Sequence, residues 1–352
     1  MINYEKLMRK CITLAKKGRG KTSPNPMVGC IVLDKNNNII STGYHHKYGD
    51  NHAERDALLK LKNGEEDGGT LIVNLEPCSH YGKTPPCVDL IIERGLKRVV
   101  VGCVDNNPKV AGRGIEKLKN AGIEVILNVL EPECRQLNEI FFTNIEEKRC
   151  FVALKTATTL DGKIATSVGN SKWITCEKSR DFSRKLRLDY DAVLTSSNTV
   201  IADNPRMKHK TKIILDRNLK TDWNSEIYQQ GNIILVISDE FDIDDYPKNF
   251  SVIPCPLKNG KLDLNYILKE LYMTGIKSVF VEAGGKLCGE FIKNNLVDKI
   301  YHFIAPKIAN DNSALSAFNG NSIQNISECK NFKITETKRI GEDVLVILRS
   351  SV

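Results

Sequence analysis

Short apolar runs alternate with helix-patterned stretches along this chain, and that alternation limits the folds open to it. Met27–Leu33 and Ile39–Tyr44 read as strands joined by an asparagine-rich turn. Thr70–Leu75, Arg98–Val104 and Ile123–Val129 read as further strands, several of them apolar almost throughout. Between them lie helical patterns. The first is Tyr4–Ala15, where Tyr4, Leu7, Met8, Cys11, Ile12 and Ala15 recur at spacings of three and four. His52–Leu61, Pro86–Arg94 and Gly114–Ala121 follow. A strand that is apolar on both sides needs a cover on both sides, so the expected fold is an α/β sheet with helices on each face.

The pattern stops at the polar run Asn144-Ile145-Glu146-Glu147-Lys148-Arg149 and then starts again. Phe151–Ala157, Ala192–Thr195, Lys212–Leu215, Ile233–Ile237, Ser251–Pro254, Ser278–Val281 and Lys299–Ile304 read as strands. Glu177–Leu188 and Leu264–Met273 read as helices, Gly284-Gly285 leads into another, and Phe332–Thr337 with Val344–Leu348 reads as a terminal hairpin. A chain of 352 residues is too long for one ordinary core. The expected domains are therefore 1–147 and 148–352, each α/β.

Composition narrows the function. An apolar fraction of 41% beside 27% charged residues excludes a disordered, fibrous or membrane chain. No apolar run approaches the roughly 18 residues of a spanning helix, and Met1–Lys6 is no secretory signal. A cytoplasmic protein with reduced thiols is expected, so the 11 cysteines do not imply a disulfide framework. The net charge of +8 points to nucleic acid or to an anionic small ligand.

Four of the 6 histidines fall between positions 45 and 80, and the informative motifs there are His52-Ala53-Glu54 and Pro77-Cys78. With Cys87, the imidazole of His52 and two thiolates supply three ligands for a catalytic zinc and leave the fourth position to water. Glu54 is not expected as a ligand. Beside the metal, its carboxylate can carry a proton from water to a leaving amine, the zinc-deaminase layout. Either cysteine alone would read as a buried thiol. Together, Cys78 at a strand end and Cys87 at a helix start favour metal, since a helix N-terminus supports a thiolate.

Eight residues separate the cysteines instead of the usual two, and that departure is itself informative. Ser23-Pro24-Asn25-Pro26-Met27-Val28-Gly29, Gly43-Tyr44-His45, His52-Ala53-Glu54 and Pro77-Cys78-Ser79-His80-Tyr81-Gly82-Lys83-Thr84-Pro85-Pro86-Cys87 strongly resemble the bifunctional riboflavin-biosynthesis deaminase–reductases. Asp105-Asn106-Asn107-Pro108-Lys109-Val110-Ala111-Gly112-Arg113-Gly114 looks like a loop of the same family. The resemblance implies a cytidine-deaminase-like α/β/α amino-terminal domain. It also implies substrate contacts at Asn25, His45, His80 and Lys83. Asn25 and His45 can read a pyrimidine edge through hydrogen bonds, while His80 and Lys83 suit a ribose phosphate.

The second half resembles the reductase of that family, a dihydrofolate-reductase-like α/β domain. The likeness lies in Lys155–Lys163, Ser171–Thr175, Asp191–Pro205 and Val281–Gly285. No Gly-x-Gly-x-x-Gly follows a strand, so a Rossmann site is not supported. Gly284 and Gly285 stand instead between a strand and a helix, where backbone amides suit a phosphate. The resemblance implies NADPH contacts at Ala157, Trp173, Thr199, Asp203, Ser238, Gly284 and Gly285. It implies substrate contacts at Ser171, Arg187, Met207, Lys210 and Glu282. Met207 and Lys210 stand where the family usually has leucine and arginine, and lysine lacks arginine's bidentate fork.

The expected function is therefore two consecutive steps: zinc-dependent hydrolytic deamination of a phosphoribosylaminopyrimidine, then NADPH-dependent reduction of ribosyl to ribityl. No catalytic base is evident in the reductase half, where positioning is expected to dominate. The cofactors are Zn2+ and NADPH. The partner is a phosphorylated pyrimidine, not nucleic acid or membrane, and the sequence leaves a homo-oligomer open. The alternatives are a deaminase of nucleic acid or another nucleobase with an accessory carboxyl-terminal domain, and a half-active scaffold. Lys16-Lys17-Gly18-Arg19-Gly20-Lys21 is basic but lacks the aromatic interleaving of a nucleic-acid surface.

Overall fold

The computed structural model describes residues 2–81, 85–106, 112–241, 246–247, 250–320 and 322–350. The chain divides into two compact units, Met1–Lys148 and Arg149–Val352.

In the first unit the strands are β1 (Gly29–Leu33), β2 (Ile39–Tyr44), β3 (Thr70–Leu75), β4 (Arg98–Cys103) and β5 (Glu124–Ile126). They form one sheet in the order β2-β1-β3-β4-β5. β1 runs antiparallel to β2 and β3, while β3, β4 and β5 are parallel. The helices are α1 (Tyr4–Ala15), α2 (Ala53–Leu58), α3 (Cys87–Glu93), α4 (Arg113–Asn120), α5 (Glu131–Leu137) and α6 (Glu139–Glu147). Successive strand side chains point to opposite faces. Cys30, Val32, Leu71, Val73, Val99 and Val101 meet Ala53, Ala57, Val88, Ile91 and Leu118 of α2, α3 and α4. Ile31, Leu33, Ile72 and Val100 meet Met8, Cys11, Cys134 and Phe142 of α1, α5 and α6. Both faces are dry, which is why these strands lack polar alternation.

Two expectations for this unit need correction. Ile123–Val129 shortens to Glu124–Ile126. No helix is expected in the polar run Asn144–Arg149, yet its first four residues complete α6, and the division between the units falls inside the run. That helix ends at Lys148 in a left-handed conformation, φ 52°.

The second unit contains β6 (Phe151–Thr158), β7 (Lys163–Ala165), β8 (Ala192–Ser196), β9 (Thr211–Leu215), β10 (Asn232–Ser238) and β11 (Phe250–Cys255). It continues with β12 (Leu257–Lys258), β13 (Lys261–Leu262), β14 (Ser278–Val281), β15 (Lys299–Ile304), β16 (Leu315–Ser316), β17 (Phe332–Ile340) and β18 (Asp343–Ser350). Its helices are α7 (Glu177–Leu186), α8 (Ser197–Asp203), α9 (Leu264–Met273) and α10 (Gly285–Lys293). A nine-stranded sheet has the order β11-β10-β9-β8-β14-β6-β15-β18-β17. It is parallel from β11 to β15 and antiparallel at β18 and β17. Asp263 caps α9 by accepting from the amides of Asn265 and Tyr266, and Leu264, Ile267, Leu268 and Leu271 then pack on Val152, Leu154 and Val236.

Arg149 opens this unit with a bidentate pair to Asp298, Nη1–Oδ2 2.8 Å and Nη2–Oδ1 2.7 Å. Asp298 Oδ2 also accepts the Val152 amide at 2.7 Å. Both side chains are nearly buried, so removing one takes a bidentate charge partner from the other where little water can replace it. Asp298→Ala should cost about 3–5 kcal/mol, read as a lower urea midpoint of the reductase unit. A loss below about 1 kcal/mol would match an exposed pair and refute the buried one.

Candidate active sites

Three elements deliver the metal candidates. Gly43 lets α2 lie directly on β2, because a Cβ there would come within 2.3 Å of the Ala53 carbonyl oxygen. That contact fixes the start of α2, where His52 is the N-cap and Glu54 the second helical residue. Cys78 follows β3, and Cys87 is the first residue of α3. The Nδ1 of His52 lies 3.4 Å from Cys78 Sγ and 3.5 Å from Cys87 Sγ, and the three donor atoms lie within 4.8 Å of one another. An imidazole nitrogen and a thiolate sulfur on one tetrahedral zinc stand about 3.6 Å apart. The residues therefore fit the metal, with one position left over.

The electrostatics refine one expectation. The Cys78 thiol is held below its ordinary range, first by its hydrogen bond with Cys87 and then by His52. The Cys87 amide, at the start of α3, donates to Cys78 Sγ at 3.4 Å. The helix N-terminus thus supports its neighbour's thiolate, and Cys87 is pushed up by sharing a hydrogen bond with it. The Cys78 partner in turn raises His52. Glu54 is buried, and its desolvated carboxyl is pushed up to about 7.

Asn25 and His45 join this group. Asn25 Nδ2 lies 3.2 Å from His45 Nε2, and His45 Nδ1 lies 3.0 Å from the Asn51 carbonyl oxygen. The ring of His45 meets that of His52 edge-on at 5.5 Å. His80 is exposed on the segment after Cys78, and Lys83 lies outside the described residues. Glu76 escaped the sequence reading. Buried at the end of β3, it accepts backbone N–H bonds from Asp105, Gly112, Gly114 and Ile115 at 3.0–3.3 Å. A charged residue ending an otherwise apolar strand was the available signal.

In the second unit, Ala157, Thr199, Ser238, Glu282, Gly284 and Gly285 all stand at or just beyond the carboxyl ends of parallel strands, where open α/β sheets bind ligands. Gly284 is the N-cap of α10, and a Cβ on it would meet nothing within 4 Å. The first turn of that helix is therefore open on the Gly284 side, where backbone amides suit an anion. Trp173 is 62% exposed, which rules out a core-packing role. Arg180 stacks on its ring at 4.4 Å, and Lys307 Nζ donates to its carbonyl oxygen at 2.7 Å. Ser238 is buried at the end of β10, while Asp203, partly buried, is the last residue of α8.

Arg187 donates to Glu282 Oε2 at 2.6 Å, and the Ser183 hydroxyl donates to Oε1 at 3.3 Å. Arg187 Nε is buried with no partner among the described residues. This guanidinium follows α7 and pairs across the fold, so it does more than end a helix. Lys155, another residue the sequence reading passed over, feels both charges, although burial is what chiefly lowers its pKa. A lone lysine in the apolar strand Phe151–Thr158 was its signal. Ser171, partly buried, and Lys210, exposed, are not bonded to the Arg187–Glu282 pair among the described residues. The side chain of Met207 packs with Val193, Val200, Ile214 and Tyr228, which leaves its backbone for any ligand contact.

Known proteins match along both units. Residues 1–103 fit the cytidine and deoxycytidylate deaminase zinc-binding region, and residues 150–346 fit the RibD C-terminal domain. Riboflavin biosynthesis protein RibD of Actinobacillus pleuropneumoniae is 41% identical, the match covering 96% of this chain and 93% of that protein. RibD of Escherichia coli K12 is 34% identical over 98% of both. A Thermotoga maritima structure, a diaminohydroxyphosphoribosylaminopyrimidine deaminase/5-amino-6-(5-phosphoribosylamino)uracil reductase, superposes with TM-score 0.86 at 40% identity, covering 99% of this chain and 98% of that one. Acinetobacter baumannii RibD superposes with TM-score 0.88 at 31% identity, covering 99% of both.

Proposed function

The chain belongs to the RibD family of riboflavin-biosynthesis enzymes, and from that premise we propose how its residues divide two reactions between two units. It is a bifunctional enzyme, a zinc-dependent deaminase and an NADPH-dependent reductase. Residues 1–147 deaminate diaminohydroxyphosphoribosylaminopyrimidine to the corresponding uracil. Residues 148–352 then reduce its ribosyl group to ribityl. The observation that carries this reading is the convergence of His52, Cys78 and Cys87 beside the buried Glu54.

His52, Cys78 and Cys87 hold the zinc, which when bound acidifies a water for attack on the pyrimidine. Glu54 takes a proton and passes it to the departing amine. Asn25 and His45 read the pyrimidine edge, and His80 and Lys83 meet the ribose phosphate. In the second unit NADPH supplies the hydride. Gly284 and Gly285 receive its pyrophosphate, and Ala157, Trp173, Thr199, Asp203 and Ser238 hold the rest. Ser171, Arg187, the backbone of Met207 and Lys210 face the substrate, with Arg187 toward its phosphate. Glu282 accepts from ribose hydroxyls, and Lys155 gives the ring oxygen its proton as the sugar opens.

Two anionic ligands account for the +8 charge without a polynucleotide. No helix among the described residues is long and apolar enough to cross a membrane. We place the reactions in the cytoplasm, where thiols stay reduced and NADPH is supplied. The test is ammonia release followed by NADPH oxidation with the phosphorylated pyrimidine. Single-stranded DNA as the preferred substrate would overturn the reading. Chelation should abolish ammonia release, spare NADPH oxidation on the deaminated substrate, and be reversed by added zinc. Persistent deamination by metal-free protein would refute the ligand assignment.

A further inference from the structure

Asn138 stands where an asparagine usually caps a helix, at the N-cap of α6, yet its side chain makes no capping bond. Both of its amide groups go instead to one residue 111 positions back. Asn138 Oδ1 accepts the Met27 amide at 2.8 Å, and Asn138 Nδ2 donates to the Met27 carbonyl oxygen at 3.0 Å. The buried Asn74 acts on the same stretch: its Nδ2 donates to the Met27 oxygen at 3.1 Å, and its Oδ1 accepts the Gly29 amide at 2.7 Å. The backbone pairing of β1 with β3 ends at Cys30 and Val73. Beyond it, these two amides replace the missing ladder and hold residues 27–29 at a fixed height.

Asn25 lies two residues before that clamp, and its backbone N–H donates to the Thr22 carbonyl oxygen at 2.8 Å. We propose that Asn138, with Asn74, is a positioning residue for the deaminase, holding the Asn25 loop so that the Asn25 amide meets the pyrimidine edge beside His45. The proposal rests on the reading of Asn25 as a substrate contact. It assigns a specificity role to the α5–α6 junction, which touches none of the metal donors. An unclamped loop weakens recognition and leaves the proton transfers of Glu54 alone, so KM moves and kcat does not.

The test is Asn138→Ser in the full chain. Serine still caps a helix but is too short to hold Met27. Losing two hydrogen bonds should raise the deaminase KM about tenfold, with kcat within about threefold and with zinc content and reductase kinetics unchanged. A purely structural role predicts the reverse, an unchanged KM once α6 is capped. Asn138→Asp keeps the shape and the acceptor but loses the donor to Met27. It should give the same split and stands in if the serine variant does not fold. Asn25→Ala runs in parallel. If it raises KM while Asn138→Ser and Asn138→Asp do not, the clamp is refuted. If it too leaves KM unchanged, the reading of Asn25 falls and the proposal falls with it.

Discussion

Glu54→Gln should deaminate about 1,000-fold more slowly than the parent enzyme while its NADPH-dependent reduction stays unchanged. The glutamine keeps the shape of the side chain and cannot take or give the proton. His52, Cys78 and Cys87 are untouched, so zinc content should stay equimolar. Glu54 sits on the second position of α2, buried against β2 through Gly43, and the arginine–glutamate cluster of the reductase belongs to the other unit. Ammonia release and NADPH oxidation, measured separately on one preparation, decide it. If both rates collapse in a folded, zinc-loaded variant, the two sites are not separate. If deamination survives, the proton carrier is another group.

Lys155→Met should have the mirror effect, lowering the reductase rate about 100-fold and leaving ammonia release intact. Methionine retains the aliphatic stem and removes the ammonium. The pH profile gives the sharper reading. Burial disfavours the charged form and lowers the pKa of Lys155, while Glu282 pulls it back up and Arg187 lowers it further. The proton-donating form exists below that pKa. Reductase activity should therefore be full on the acid side and fall as pH rises, at a pH below the ordinary lysine value of about 10.4. Lys155→Met should lose that alkaline limb. An unchanged limb in the variant would assign the titration, and the proton, elsewhere.

The convergence of His52, Cys78 and Cys87 was legible in the sequence because an imidazole and two thiols, groups with one shared affinity, sat at strand and helix ends. The layered sheets were legible because Ile31 and Val32, or Val99 and Val100, are apolar on both faces. What escaped was set by distant contacts. Lys155 stood inside a quoted motif, but its neighbours Glu282 and Arg187 come from other elements. Asn138 lay in a stretch read as neither strand nor helix, and its partner is more than a hundred residues away. Glu76 looked like a strand end until the four amides converging on it were seen. The α6 helix was missed because its last turn is charged, and a charged run reads as the end of the pattern.

The Glu76 contact also bears on how this protein can vary. One carboxylate gathers the backbone N–H groups of Asp105, Gly112, Gly114 and Ile115, so four positions of the chain lean on a single side chain. Moving any of the four would tug on Glu76 and, through Pro77, on Cys78. A change among these four residues would therefore reach the deaminase site through the backbone, although none of them is a metal donor.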